Sequence, residues 1–384
     1  MSAERIIMPI VEQKENKKNV ADKKTLFVEF KRSILDGSMP RGKVLPTEAE
    51  LIDRHGLTRY AVRDALSRLV NEGLIERTPG RGSVVVHECG RLKAMQITFL
   101  SQDPRDWLSS GIAAGIQGFL ASLDGEEINL NLRFAGDTQQ EFDETIEALI
   151  DNKPDGLIVF PLSWLNNNEW AYKVKQAGIP LVSVVNYPEG IDIDRVQTDN
   201  EKGGQLAAQE LIQNGYKRLY YFSQQELGSS DKARIEGFLK TVAKKSSEID
   251  SCLPVKYHLN EADERERSRP WKVSQYHWYE FLSKLDKKKL PIGVFAINDY
   301  NAYGALLASK ELGLEVGKDI GIIGFDDREL ASVSIPQLTT IKQCPEKIGH
   351  EAAKMIFSKW KNNSIEFQDI LIDTSVVTRE SLKN

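Results

Sequence analysis

Residues 41–86 read RGKVLPTEAELIDRHGLTRYAVRDALSRLVNEGLIERTPGRGSVVV, and this stretch decides the fold of the N-terminal part of the chain. Thr47 followed by Glu50 is a capping box, in which the hydroxyl and the carboxylate each accept a hydrogen bond from a backbone amide at the start of a helix. That helix is short and is expected to end at Gly56, because the pair His55-Gly56 interrupts its pattern.

A second helix is expected directly afterwards, with Thr58 as its N-cap. One face of this helix is apolar, since its residues recur at a spacing of three to four: Val62, Ala65, Leu66, Leu69 and Val70. The opposite face carries Arg59 and Arg63, which are four positions apart and therefore project side by side from the first turns. Gly73 is expected to end the helix.

Two short strands are expected after Gly73, at 74–77 and 83–86, joined by a turn over 79–82 with the cation Arg81 at its tip. Two helices followed by such a hairpin predict a winged helix-turn-helix, whose second helix meets base edges and phosphates. Taken singly, two arginines at this spacing more often form a solvated helix face. The order of the signals along the chain is what favours DNA contact.

This segment resembles the DNA-binding domain of GntR-type bacterial transcription regulators, whose pattern is L-P-S-E-R, then S-R-x-T-V-R, then G-x-G-T. The resemblance covers residues 24–86 and implies that double-stranded operator DNA is contacted by Thr47, Arg59, Arg63, Arg81 and Gly82. One position departs from the pattern. Ala49 stands where many members have an arginine that contacts a phosphate or a base.

Composition sets the outer limits of what the chain can be. Its 384 residues, 41% of them apolar, suffice for two or three domains with real cores. The net charge is −5, but residues 1–90 hold 16 Lys and Arg against 13 Asp and Glu, which leaves 35 against 43 for the remainder. The positive potential therefore lies on the part that would approach phosphates.

No metal site, disulfide framework or cofactor is expected. The three cysteines, Cys89, Cys252 and Cys344, have no metal-ligand spacing, and the five histidines form no ligand motif. The N-terminus lacks the apolar core of a signal peptide, and no stretch of about 18 apolar residues could cross a membrane. A cytoplasmic protein is the resulting expectation.

The chain is expected to have four parts. Residues 1–22 are polar and rich in lysine, which predicts a flexible arm, and a winged helix-turn-helix over 23–87 begins with a helix near 24–35. The pattern lapses around Cys89-Gly90, which predicts a linker at 88–94. Residues 95–384 then alternate β-rich runs with amphipathic helices, and this alternation predicts parallel sheets with crossover helices.

About 290 residues exceed one ordinary doubly wound sheet, so an α/β domain with two lobes is expected here. The β-rich runs are 94–100, 128–134, 156–160, 181–185, 219–222, 292–296 and 320–323. Because sites in such sheets lie at the carboxyl ends of the strands, the residues just after these runs are candidates. They are Asp103 with Trp107, Ser163 with Trp164, Asn186 with Tyr187, Asn298 with Asp299, and Asp326 with Asp327.

Amides, carboxylates and aromatic rings together suit a polyhydroxyl ligand, because planar polar groups pair with hydroxyls and a ring covers the apolar face of a sugar. Arg234 could donate two parallel hydrogen bonds to it. A single Asp or Asn after a strand is more often a turn former or a helix cap. A single tryptophan is more often part of the core.

Six runs resemble the effector domain of LacI-type repressors, which is similar to periplasmic sugar-binding proteins. They are PDGLIVFP at 154–161, GIPLVSVVN at 178–186, VQTDNEKGG at 196–204, FAINDYNAYG at 295–304, GIIGFDD at 321–327 and PQLTTIKQ at 336–343. The resemblance implies that Arg234, Asn298, Asp326 and Gln343 line a sugar cleft, and Asp103 and Trp107 are added from the loop after the first strand. The region of Trp271 and Trp278 departs from the pattern, either closing one side of the cleft or, as we favour, forming a surface insertion.

The pairing of these two domains resembles the arabinose repressors. It implies a homodimer. It also implies a transcriptional repressor whose operator affinity is changed by a small sugar, such as L-arabinose or a related monosaccharide. Induction and corepression both stay open. The alternatives are a sugar-binding protein without a regulatory role and a sugar-acting enzyme with Asp103, Asp299 or Asp326 as its carboxylates; we expect no enzyme, because little of the required chemistry is present.

Overall fold

A computed structural model describes residues 17–35, 37–78, 82–87, 94–101, 103, 106–123, 126–136, 138–161, 168–224, 227–257, 270–362 and 367–383. The chain divides into two compact units, Met1–Ala94 and Met95–Asn384. In the part of the chain that the structure describes, no helix is long and apolar enough to cross a bilayer.

The first unit is a winged helix-turn-helix. Its elements are α1 (Lys17–Leu35), α2 (Glu48–His55), α3 (Arg59–Asn71) and the antiparallel strands β1 (Ile75–Thr78) and β2 (Gly82–Val85). Both sides of the predicted capping box are present at Thr47 and Glu50, and Gly56 ends α2 with a left-handed φ of 63°. Thr58 caps α3, whose buried face packs with α1 around a core that includes Phe30, Leu51 and Leu66.

Three details of this unit differ from the expectation. Residues 17–22 belong to α1 rather than to a flexible arm, because the segment KKNVAD contains neither Gly nor Pro to stop the helix, and α1 begins at Lys17. Val70 is 37% exposed, because it lies at the edge of the apolar stripe of α3. The first strand is shifted one residue later than predicted and the second one residue earlier. Residues 79–81 lie outside the described part of the chain.

The second unit contains two six-stranded sheets. The sheet of the first lobe is parallel throughout, in the order β13-β7-β6-β5-β3-β4, with β3 (Met95–Ser101), β4 (Ile128–Phe134), β5 (Gly156–Val159), β6 (Leu181–Val184), β7 (Asp194–Thr198) and β13 (Asp369–Ile372). The second lobe has the order β14-β12-β11-β10-β8-β9, with β8 (Arg218–Gln224), β9 (Ser251–Tyr257), β10 (Ile292–Ala296), β11 (Ile320–Asp326), β12 (Thr339–Lys342) and β14 (Ser375–Val377). Only β14 is antiparallel among these described strands.

Helices cover the sheets of both lobes. Those of the first lobe are α4 (Trp107–Ala121), α5 (Gln139–Asn152), α6 (Glu169–Gln176) and α12 (Pro345–Asn362). Those of the second are α7 (Asn200–Gln213), α8 (Ser229–Lys244), α9 (Pro270–Ser283), α10 (Asp299–Glu311) and the short α11 (Glu329–Val333). Glycines let two helix pairs approach closely: a Cβ at Gly115 of α4 would lie 1.9 Å from the carbonyl oxygen of Glu346, and one at Gly204 of α7 would lie 1.9 Å from that of Arg234.

The chain crosses between the lobes three times, after β7, after β12 and after β13. The crossings are tied to each other. The Thr198 hydroxyl donates to Oε1 of Gln343 at 2.7 Å, and the Thr374 hydroxyl donates to the carbonyl of Lys342 at 2.6 Å. The three crossing segments are therefore adjacent and hydrogen-bonded to one another, and we call them the hinge.

The region of Trp278 is not a surface insertion. Trp278 has none of its surface exposed, its ring stacks on Phe222 with centroids 4.1 Å apart, and Nε1 donates to the carbonyl of Asn301. Helix α9 thus completes the core of the second lobe. Trp271 is half-buried beside Tyr300, and residues 265–269 lie outside the described part.

Candidate DNA-contact surface and effector site

The predicted DNA contacts that the structure describes lie directly before α2, on α3 and on β2. Arg59 and Arg63 are both exposed on α3, as their four-residue spacing predicted. Thr47 is exposed, but its hydroxyl already accepts from the amide of Glu50 and donates to Oε2 of the same residue. Gly82 opens β2 with φ of 87°, and Arg81 lies outside the described residues.

An acidic residue that the sequence reasoning did not single out organises this surface. Glu48, in the first turn of α2, accepts from Nε of Arg63 at 2.9 Å and lies 3.7 Å from Nη2 of Arg77 on β1. The side chain of Arg63 is nevertheless 60% exposed. Its guanidinium is therefore held at the surface rather than buried, and it can exchange this partner for a phosphate or a base at small cost.

The candidate effector site of the second unit is built around Arg234. This residue lies on α8 and is 4% exposed. Its Nε donates to Oδ1 of Asn200 at 2.9 Å, its Nη1 donates to the carbonyl of Ile297 at 2.6 Å, and its guanidinium stacks on the Phe325 ring at 3.8 Å. A buried guanidinium with this many partners has one orientation, which makes it a rigid donor.

Asp326 contacts two other predicted residues, Arg234 and Gln343. Its Oδ1 lies 3.8 Å from Nη1 of Arg234 and accepts from Nε2 of Gln343 at 2.7 Å. Gln343 in turn binds Thr198, so the hinge is hydrogen-bonded directly to the site. Asp326 is the last residue of the buried strand β11, and its φ of 123° turns the chain sharply at the carboxyl edge of the sheet.

The other predicted residues have different surroundings. Oδ1 of Asn298 caps α10 by accepting from the amide of Asn301, and the adjacent carbonyl of Ile297 is the one that Arg234 contacts. Trp107 is half-buried at the start of α4, and Asp103 is half-buried with its carbonyl accepting from the amide of Asp106. Asn298 therefore adjoins the Arg234 cluster, whereas Asp103 and Trp107 stand on the opposite lobe.

Arg328 links these two sides, and the sequence reasoning missed it. Nε donates to Oδ2 of Asp326 at 2.9 Å in its own lobe, and Nη1 donates to Oδ1 of Asp106 in the first lobe at 3.1 Å. The guanidinium also lies 4.4 Å from the Tyr300 ring centre and 5.2 Å from that of Trp107. The signal that could have found it is its place directly after Asp326-Asp327, at a strand end.

Burial and ion pairing both affect the pKa values of the charged groups in this cluster. Burial, and secondarily the Asp326 carboxylate, raises the pKa of Asp299 well above its usual range. Burial also raises the pKa of Asp231, although Arg234 opposes this shift. Burial disfavours the charged form of Arg328, but Asp326 and Asp106 outweigh it and raise its pKa.

A second set of contacts joins the lobes at α8. This helix has no side-chain cap of its own at Gly228; instead Oδ1 of Asn186, from the first lobe, accepts from the amide and the hydroxyl of Ser230. The amide of Tyr187 donates to Oγ of Ser229 at 3.0 Å. Asn186 thus supplies the missing cap from across the cleft.

Three family profiles match the chain. Residues 23–85 match the bacterial regulatory proteins of the gntR family. Residues 94–265 match the periplasmic binding proteins and sugar binding domain of the LacI family, and residues 208–382 match a periplasmic binding protein-like domain. Together they cover both units.

Curated relatives align with this chain over nearly their whole length. The arabinose metabolism transcriptional repressor of Geobacillus stearothermophilus is 28% identical over 93% of this chain and 97% of that protein. The repressor of the same description from Halalkalibacterium halodurans is 26% identical over 92% of this chain and 94% of that protein. These relatives are regulators, which agrees with the expectation that the chain is not an enzyme.

Solved structures of the LacI family share the fold of the second unit. A transcriptional regulator from Enterococcus faecium with bound ribose has a TM-score of 0.61 at 22% identity, covering 75% of this chain and 98% of that one. The lac repressor dimer bound to operator and an anti-inducer has a TM-score of 0.61 at 20% identity, covering 76% of this chain and 95% of that one. The chain is therefore a two-domain transcriptional regulator that joins a GntR-type winged helix-turn-helix to a periplasmic-binding-protein-like effector domain of the LacI type.

Proposed function

We propose that the chain is a repressor whose affinity for operator DNA is changed by a small uncharged sugar, L-arabinose or a related monosaccharide, bound between the lobes of the second unit. The observation that carries this proposal is the cluster of Arg234, Asp326 and Gln343. It combines rigid donors and acceptors at the carboxyl ends of the strands with a direct hydrogen bond to the hinge.

Charge favours an uncharged ligand over a sugar phosphate. Two guanidinium groups, those of Arg234 and Arg328, face the four carboxyl groups of Asp106, Asp231, Asp299 and Asp326. Among the described residues of this cluster no surplus positive charge is left for a phosphate, which would add up to two negative charges at neutral pH. Sugar hydroxyls, in contrast, pair with both carboxylates and guanidinium groups.

We assign the sugar contacts to Arg234, Asn298, Asp326 and Gln343 in the second lobe and its hinge, and to Asp103 and Trp107 in the first. A ligand that touches both lobes binds most tightly when the cleft is closed, so it shifts the chain toward that state. The contacts with DNA are assigned to Thr47, Arg59, Arg63, Arg81 and Gly82. A linker at 88–94 would carry the change from one domain to the other.

We further propose that the protein works in the cytoplasm as a homodimer. A dimer with two-fold symmetry presents one winged helix to each half of a pseudo-palindromic operator. The lac repressor, which shares the fold of the second unit, binds its operator as a dimer. Linkage between the sites then requires a coupling free energy of about 1 to 3 kcal/mol, which changes operator affinity about 5- to 150-fold.

The experiment uses the full chain. Its melting temperature is measured with a panel of pentoses, hexoses and their phosphates, because a ligand that binds only the folded state raises it. Duplexes selected from a random library then supply the operator, and its dissociation constant is measured with and without L-arabinose and every sugar that stabilised the protein. We expect an uncharged monosaccharide to change that constant at least about fivefold. An operator affinity that no sugar changes would contradict the proposal.

A further inference from the structure

Arg328 is fixed to the second lobe by contacts that do not depend on the first. Its Nε donates to Oδ2 of Asp326, and its Nη1 donates to the hydroxyl of Tyr300 at 3.1 Å. The guanidinium lies against the Tyr300 ring, 4.4 Å from its centre. The side chain is 12% exposed in the structure, and these three contacts all come from residues of its own lobe.

From this position Arg328 reaches across the cleft. Nη1 donates to Oδ1 of Asp106 at 3.1 Å, while Oδ2 of Asp106 caps α4 by accepting from the amide of Leu108 at 2.9 Å. Trp107 follows directly and places its ring 5.2 Å from the guanidinium. The ion pair therefore joins the start of α4 in one lobe to the end of β11 in the other, between two aromatic rings.

We propose that Arg328 couples sugar binding to closure of the lobes. Nη1 holds Asp106 and so favours the closed cleft. Nη2, for which the described residues provide no hydrogen-bond partner, donates to a hydroxyl of the sugar. The inference rests on the proposed function, because it names a further residue of the same site, and it assigns to Arg328 a role that Arg234, confined to the second lobe, does not have.

Four variants separate this role from a merely structural one. Arg328→Met removes the guanidinium and keeps a long apolar side chain, and Arg328→Lys keeps the charge but cannot reach several partners at once. Asp106→Asn removes the ion pair and keeps an oxygen that caps α4. Arg379→Met is the matched control, because Arg379 pairs with Asp327 at 2.6 Å entirely within the second lobe. Melting temperatures confirm that each variant is folded.

The first measurement is calorimetric titration of each full chain with L-arabinose, or with another sugar of the panel if the wild-type chain binds that one instead. We expect Arg328→Met to weaken binding roughly 10- to 100-fold, the range for a lost hydrogen bond to a charged group. Asp106→Asn should weaken it less, since Nη2 is still available, and Arg328→Lys should recover part of the loss. Wild-type affinity in Arg328→Met would overturn the sugar contact.

The second measurement needs no sugar. Spin labels are placed at Tyr172 and Tyr276, which are 51% and 64% exposed on α6 and α9, in a chain whose three cysteines are replaced by alanine. Their distance distribution should broaden in Arg328→Met and in Asp106→Asn and stay unchanged in Arg379→Met. Unchanged distributions in the first two variants would overturn the closure role. A wild-type chain that binds no sugar would contradict the proposed function, and the distances would still decide the role of Arg328.

Discussion

At the scale of single residues, burial separates the two sets of arginines. Arg63 is mostly exposed and has an exposed ion pair, whereas Arg234 and Arg328 are buried among carboxylates and carbonyl groups. Exposed pairs are worth at most about 1 kcal/mol, so Arg63 can change partners when DNA arrives. The buried arginines are instead held in one geometry, as the proposed sugar site would require in order to distinguish hydroxyl positions.

Arg63→Ala should weaken binding to the selected operator by about 1 to 3 kcal/mol if the guanidinium meets a base edge. The loss of the Glu48 pair is a smaller effect, for the reason just given. Arg68→Ala on the same helix is the control, because its guanidinium lies over the ring of Phe27 at 3.9 Å. Fluorescence anisotropy with a labelled duplex measures both, and equal affinities for Arg63→Ala and the wild-type chain would remove Arg63 from the contacts.

Asp299→Asn should reduce the pH dependence of stability. Because burial raises the pKa of Asp299 in the folded state, its contribution is full below the unfolded pKa of about 3.9 and is lost as the pH rises through the folded value. In the wild-type chain the hydroxyl of Thr340 donates to Oδ1 of Asp299 at 2.6 Å, and the amide of Arg328 donates to Oδ2. Asparagine keeps an oxygen for Thr340 but places an amino group opposite the amide of Arg328. Because an amino group cannot accept, this second hydrogen bond is lost.

The variant should therefore be less stable than the wild-type chain in acid and approach or exceed it near neutral pH. Melting temperatures of both proteins between pH 4 and 8 measure this difference. Parallel curves would show that Asp299 does not titrate in this range.

At the scale of elements, close helix packing depends on the absence of single Cβ atoms. Gly115 on α4 lies against α12, and Gly349 on α12 lies against α4. A Cβ at Gly349 would lie 1.9 Å from the carbonyl oxygen of Ile112. The second lobe repeats this arrangement with Gly204 on α7 and Gly237 on α8. Both lobes thus bring a helix pair together at backbone distance, and the start of α4 and the first turns of α8 each carry residues of the candidate site.

Gly115→Ala should destabilise the second unit by about 1 to 3 kcal/mol, because the carbonyl of Glu346 cannot move aside without shifting α12. Gly118→Ala is the control on the same helix. Nothing lies within 4 Å of the added Cβ there, so the better helix propensity of alanine should stabilise by up to about 1 kcal/mol. Calorimetric unfolding of the full chain measures both, and similar effects of the two changes would contradict this account of the packing.

At the scale of the whole molecule, the proposed function makes sugar binding and operator binding a linked equilibrium. If sugar lowers operator affinity by a given factor, operator must lower sugar affinity by the same factor, whatever path the coupling takes. Titration of sugar into the free protein and into the protein saturated with operator duplex should therefore give dissociation constants in that ratio. Unequal factors would mean that a third state or a change in assembly takes part.

The sequence predicts most of the elements that depend on local signals. The capping box at Thr47, the left-handed Gly56 and the buried stripe of α3 each involve residues within a few positions of one another. The same holds for strong strands such as β4 and β10, which have the predicted bounds. Five strands were missed. The outer strands β9, β13 and β14 are only partly buried and lack a continuous apolar run. Strands β7 and β12 are largely buried, but their sequences DRVQT and TTIK are mostly polar, so they carry no apolar signal.

The sequence by itself determined the two kinds of domain and the strand ends at which the site lies, because periodicity, capping and turn residues act over short distances. Tertiary structure alone decided which of these side chains meet. Arg328 and Asp106 are 222 positions apart, and the hinge pairs Thr198 with Gln343 across 145. A bond between distant residues depends on how sheets and helices pack, and no local pattern in either segment encodes it.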